Sequence, residues 1–265
     1  MAIKILKSRE PFYDTDALAF ISAATITNNI QIMAINDLVT DLKGFNLWSK
    51  MIALYPFVGG NANSHKYNLK DPRDLDAAYR LSFSGGWIHS STGALPNGTN
   101  GYADTFLIPN NVLSLNSTHV SYYSRTIGAA LNNRAEMGTG NASGSFLFLS
   151  FYFSSAYIFD VNQTSDSVIS NPSVTTHGFL CASRTGTNAL RGVRNDTTLI
   201  NTTTISTSMS NNSVVIGAWN SNGTKTGFST KECAFASIGS GLTATDTTNL
   251  YTAVQKYESY LNRQV

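Results

Sequence analysis

Charge is scarce in this sequence. Only 13% of its 265 residues are Asp, Glu, Lys or Arg, about half the usual share, and the formal net charge is +2. Nucleic-acid binding needs a basic patch or stripe, and this balance offers none, so no nucleic-acid partner is expected. Cysteine is nearly absent. Cys181 and Cys233 each sit in an apolar strand pattern, GFLCAS and ECAFAS, which reads as two buried reduced thiols, with a single bridge between strands left open. No uninterrupted apolar run approaches the ~20 residues of a membrane span, so no membrane partner is expected. The opening MAIKILKSREPF lacks the apolar core and cleavage site of a secretory signal, and the expectation is a chain folded in a cytosol.

The groupings that carry catalysis are missing as well. A sandwich glycosidase needs two carboxylates about 5 to 9.5 Å apart, and none of Glu10, Glu136, Glu232 and Glu258 is spaced as a pair on one strand face. Asp104 and Asp160, near strand ends, are the nearest substitutes. His65, His89, His119 and His177 are scattered without metal-ligand spacing, and G-x-S-x-G is absent. GTGNASG at 138 to 144 lacks the Lys-Ser/Thr of a phosphate loop. The reading is a protein without catalytic residues, metal or cofactor.

Small polar residues are abundant: 31 Ser, 29 Thr and 26 Asn. Threonine suits exposed strand faces, asparagine and serine suit turns, and the composition argues for a mainly β protein. Half of the charges fall in the first 80 residues, which marks a charged helical beginning before a nearly uncharged sandwich. Asp14 or Asp16 caps a helix through Ala24, and Thr27 or Asn28 caps a second, with Ile32, Ile35, Leu38, Val39 and Leu42 on one face and Gly44 as its stop. Leu47, Met51 and Leu54 read as a further short helix, and PRDLDAA after Asp71 as one or two helical turns. Strands are expected near 79–84, 104–108, 118–125, 145–153, 156–160, 177–185, 189–194, 197–201, 213–219 and 231–238. Among them SFLFLSFYF should be central and buried on both faces or against the helices. Thr245 or Asp246 caps a final helix presenting Leu250, Val254, Tyr257 and Leu261. The division is residues 1–56, an arm and helical attachment segment, and 57–265, the sandwich with its closing helix.

Several segments resemble structural proteins of tailed bacteriophages that carry a concanavalin A-like, laminin G-type jelly roll. They are YPFVGG at 55–60, NLKDPRDLDAAYRL at 68–81, GGWIHSSTGALPNGTNGYADT at 85–105, LNSTHVSYYSR at 115–125 and the C-terminal ASIGSGLTATDTTNLYTAVQKYESYLNRQV. The resemblance implies a concanavalin A-like jelly-roll sandwich with a short N-terminal helical segment and a C-terminal helix. It also implies a virion protein assembled in the host cytoplasm, part of a tail, fibre or capsid decoration. Its partners would be other virion proteins and sister copies, and it would be a homo-oligomer. The expected role is non-enzymatic display of a lectin-like sandwich for adhesion to a host surface glycan. A purely structural component without ligand and a glycoside hydrolase are the alternatives. For glycan contact the candidates are Trp87, His89, Tyr102, Asp104 and Trp219, since aromatic faces and planar polar groups suit sugars; the competing reading puts both tryptophans in the core.

Overall fold

The computed structural model describes residues 13–127, 133–170 and 175–265, so the expected arm lies outside it except for Tyr13. The helical start follows from local capping. The Asp14 side chain accepts from the Asp16 N–H at 2.9 Å and opens the helix Thr15–Ala23; Asn28 accepts from Ile30 and Gln31 and opens Asn29–Gly44.

Two sheets follow. In the first, the order is Thr197–Thr202, Ala189–Arg194, Gly178–Gly186, Thr118–Ser124, Cys233–Gly239, Gly93–Pro96 and Trp87–Ser90, with Met51–Tyr55 also paired to Cys233–Gly239. The second runs Val168–Ser170, Ala156–Gln163, Phe146–Phe153, Met137–Gly140, Val215–Ile216, Tyr102–Asp104 and Ser82–Ser84. A small hairpin, Trp219–Ser221 with Thr224–Thr226, joins this sheet through a parallel pairing to Met137–Gly140; the other ladders are antiparallel. Between the sheets Val120, Tyr122, Leu180 and Ile238 meet Leu147, Leu149, Phe151 and Phe159. This is the expected mainly β, concanavalin A-like jelly-roll sandwich with helices at both ends.

The sheets differ in what covers their outer faces. On the first, Tyr123, Phe179, Cys181 and Phe235 lie beneath Ile35, Leu38, Val39 and Leu42 of the second helix and Leu250, Val254 and Tyr257 of the last helix, Ala244–Tyr260. The apolar stripe of the second helix therefore finds its partner inside the molecule. On the second sheet the outer face carries, among the described residues, a small cluster of Ala135, Phe148 and Ile158, with Phe146, Phe153 and Trp219 half-buried against it, so the strand at 146–153 is not covered on both faces as expected. Among the described residues one face of the sandwich is roofed by helices and the other is not.

Several local expectations are corrected. Leu47, Met51 and Leu54 do not form a helix: a 3₁₀ turn at Trp48–Lys50 leads into the strand Met51–Tyr55. Its ladder partner lies at the far end of the chain, and Met51, Ala53, Leu54 and Tyr55 are all buried, the pattern of a strand covered on both faces. The division at 56 thus falls directly after a strand of the first sheet. Asp71 does not cap a helix; it bridges back to Asn68 and pairs with Arg73, leaving one 3₁₀ turn at Asp76–Ala78 that ends where Tyr79 turns left-handed at φ 58°. The following strand consequently starts at Ser82. Gly44 is the last helical residue and the left-handed position falls on Asn46 at φ 58°. The final helix is capped by Thr243, with Asp246 returning its carboxylate to the Thr243 N–H at 2.8 Å. Strands expected at 104–108 and 213–219 occur as Tyr102–Asp104 and as Val215–Ile216 with Trp219–Ser221. Cys181 and Cys233 are both buried and free.

Candidate ligand-binding face

The open face owes its shape to one strand. Along Phe146–Phe153, Leu147, Leu149 and Phe151 point into the sandwich and Phe146 and Phe148 point out. Strict alternation would send Phe153 inward with Phe151. The register shifts between Ser150 and Phe153 instead, and Phe153 joins the outer cluster. Ser154 and Ser155 then both adopt positive φ, 49° and 62°, closing the two-residue turn into Ala156–Gln163.

Trp219 completes the surface. Its ring centroid lies 5.6 Å from Phe146, edge to face, and 5.4 Å from Phe148, and Phe148 lies 5.3 Å from Phe153. Two recesses open beside it. One of about 280 Å³ is lined by Asn133, Phe153, Ser154, Trp219, Thr226 and Gly227. The other, about 130 Å³, is lined by Phe146, Phe148, Phe153, Asp166 and Trp219. The two recesses share Phe153 and Trp219 in their walls, and we call them together the aromatic groove. The Trp219 Nε1 is buried without a hydrogen-bond partner.

Asp160 pairs across the ladder with Phe148, which lines the smaller recess. Its Oδ1 accepts from the Ser167 N–H at 2.7 Å and from Gln163 Nε2 at 3.0 Å, while Oδ2 is buried without a close partner. Burial pushes this carboxyl well above the ordinary carboxylate range, and the nearby Asp166 charge adds to the rise. Gln163 is held in turn by Arg184, whose guanidinium donates to Gln163 Oε1 at 2.8 Å and to the carbonyls of Val161, Gly186, Thr187 and Thr204.

The sequence candidates divide between two places. Trp219 stands in the groove. Trp87 and His89 lie together elsewhere, with Phe83 edge-on to both at 5.3 and 4.6 Å, and Trp87 lines a separate recess of about 190 Å³ with Ile88, Leu95 and Pro96. The Trp87 Nε1 donates to the carbonyls of Ser84 and Tyr102, and its ring lies so close over Gly217 that a Cβ there would come within 2.9 Å. The Nδ1 atoms of His89 and the buried His65 lie 3.0 Å apart, within hydrogen-bond distance; burial pushes the His65 imidazole down to about 3. Tyr102 packs under the Lys225 ammonium at 5.7 Å, and Asp104 accepts from the Phe106 N–H and the Ser213 hydroxyl. Trp87, His89, Tyr102 and Asp104 thus do not join Trp219. The groove's other members, Phe146, Phe148, Phe153 and Asp166, are absent from the candidates chosen by sequence. Among the described residues no cluster of three or more His, Cys, Asp or Glu could hold a metal ion.

No protein-family model and no curated relative matches this sequence. Solved structures are similar in fold. A mutant of Trypanosoma rangeli sialidase displaying trans-sialidase activity aligns at TM-score 0.55 and 10% identity over 85% of this chain and 39% of its own. Botulinum neurotoxin type C, whose cell entry depends on interaction with two ganglioside molecules, aligns at TM-score 0.54 and 12% identity over 79% of this chain and 52% of that one. The binding domain of Paraclostridial Mosquitocidal Protein 1 aligns at TM-score 0.52 and 10% identity over 77% and 52%. The chain spans about half the length of these structures or less, and at such identities the likeness is one of fold: a β-sandwich of jelly-roll type.

Proposed function

We propose that this protein is a non-enzymatic carbohydrate-binding sandwich that holds an oligosaccharide in the groove across Trp219 and Phe153. The observation that carries the reading is the pair of recesses sharing those two rings on the sheet face that, among the described residues, no helix covers. Aromatic faces pack against sugar C–H groups, and Asn133, Ser154 and Thr226 place polar side chains along the larger recess. Two recesses that share walls suit neighbouring sugar units. Ganglioside interaction by a toxin of similar fold is consistent with sugar recognition on such a scaffold.

The resemblance to tailed-phage structural proteins supports a finer reading: display on the virion surface, in contact with other virion proteins and sister copies, for adhesion to a host surface glycan. In that setting the helical face lies toward the particle and the Trp219 face points outward.

The test is retention on immobilised host-cell polysaccharide and on a glycan array. Wild type should bind, and Trp219→Ala and Phe153→Ala should each lose at least tenfold in affinity, since a stacked ring contributes roughly 1–2 kcal/mol. Both variants should keep the parent's thermal melt within a few degrees, because these rings are only half-buried. Binding that neither variant weakens would move the site elsewhere, and no retention by wild type would overturn the reading.

A further inference from the structure

Within that groove, and resting on the glycan reading, we infer that the smaller recess selects sugars by charge: it favours amino and neutral sugars and rejects uronic or other carboxylate-bearing ones. Asp166 is the only charged side chain among the residues lining the two recesses. Lys225, adjacent to Thr226, is turned the other way, over Tyr102, and its ammonium donates to the Gly223 carbonyl. Among the described residues no cation therefore stands in the lining to neutralise Asp166 or to receive a ligand carboxylate.

Asp160 lies beside Asp166 but is fully buried, with its Oδ1 held by Ser167 and Gln163, and so adds no group that a ligand can reach. The exposed Asp166 carboxylate at the edge of this apolar groove accepts hydrogen bonds from sugar hydroxyls or an ammonium. A ligand carboxylate brings like charge and only acceptors, so it meets repulsion with no hydrogen bond in return.

The formal charge of +2 over 265 residues is too small to order charged glycans. An order of affinity that runs from amino to uronic forms is thus a property of the recess and not of the net charge.

The experiment uses matched triplets of oligosaccharides on several hexose backbones, each in amino, N-acetylated and uronic form, with the full-length protein, W219A and D166N. The expected result is affinity falling from amino through N-acetylated to uronic, with roughly tenfold between the ends, the scale of partly exposed charge contacts. D166N, a change at an exposed residue, should bring the ends within about threefold, and 1 M salt should compress them similarly because screening then acts over a few ångströms. Uronic forms bound as tightly as amino forms, or a ratio that D166N leaves intact, would overturn the inference while W219A-sensitive binding kept the glycan reading. Binding of no triplet, or binding indifferent to W219A, would defeat the glycan reading and the charge selection with it.

Discussion

This fold buries titratable side chains whose proton affinities move in opposite directions. His119 is fully buried; its Nδ1–H donates to the Ser240 carbonyl at 2.6 Å and its Nε2 accepts from the Ser237 hydroxyl at 3.1 Å. Burial pushes its imidazole down to about 4 and that of His65 to about 3. The unfolded chain takes up these protons near 6.5, so it binds more protons than the fold below that pH, and each histidine removes stability as pH falls through the window. Glu136 runs the other way. Burial pushes its carboxyl up from 4.5 to about 7, so the fold binds the extra proton in that interval and loses stability as pH rises across it. Relative to the parent, Glu136→Gln should gain on the order of 2 kcal/mol between pH 4.5 and 7.5, and His119→Asn should gain as pH is lowered from 7 to 4. Urea unfolding at a series of pH values reads both. A Glu136→Gln profile parallel to the parent's would mean that this carboxyl titrates at its ordinary value in the fold.

At the scale of elements, Arg184 ties the hairpin between Gly178–Gly186 and Ala189–Arg194 to the neighbouring sheet. It is fully buried, and its acceptors come from both sheets and from the segment at Thr204. Lysine offers fewer donors and no planar fork, so Arg184→Lys should leave buried carbonyls unpaired and cost about 2–5 kcal/mol in thermal or urea unfolding. A loss below 1 kcal/mol would show that water or a shifted backbone satisfies those carbonyls. The legibility of the other elements follows how local their causes are. The helix Asn29–Gly44 was readable because its cap and its stripe lie within its own sequence. Met51–Tyr55 was not, because its ladder partner is Cys233–Gly239 and the spacing of Leu47, Met51 and Leu54 fits a helix equally well. Short strands such as Trp87–Ser90, Gly93–Pro96 and Met137–Gly140 carry too few apolar residues to show a period. For the groove, Trp219 was visible as an exposed-aromatic candidate. Phe146, Phe148 and Phe153 were hidden in a run that reads as buried throughout, and the register shift that turns Phe153 outward depends on a neighbouring strand.

For the whole molecule, the helical beginning is part of the sandwich. The second helix packs against the last one, Lys256 pairs with Asp41, and Lys50 pairs with Asp246. The buried Arg263 binds Glu258 and also the carbonyls of Pro56, Phe57 and Ala234. A chain beginning at residue 57 would lose the strand Met51–Tyr55 and bare the outer face of the first sheet. It should fail to give a cooperative melt, whereas a chain lacking residues 1–12 should melt within a few degrees of the full-length protein. A cooperative transition from the 57–265 fragment would show that the sandwich closes without its helices.

The pairing of Met51–Tyr55 with Cys233–Gly239 also sets a schedule for synthesis. The early strand leaves the ribosome long before its partner, and at typical elongation rates of about 5–20 residues per second the wait is on the order of ten seconds or more. Through that interval a sticky apolar segment, and the helices made before it, have no finished sheet to settle on. The nascent chain must therefore be sheltered, by chaperones or by transient collapse, until its final residues arrive and clasp the beginning to the end.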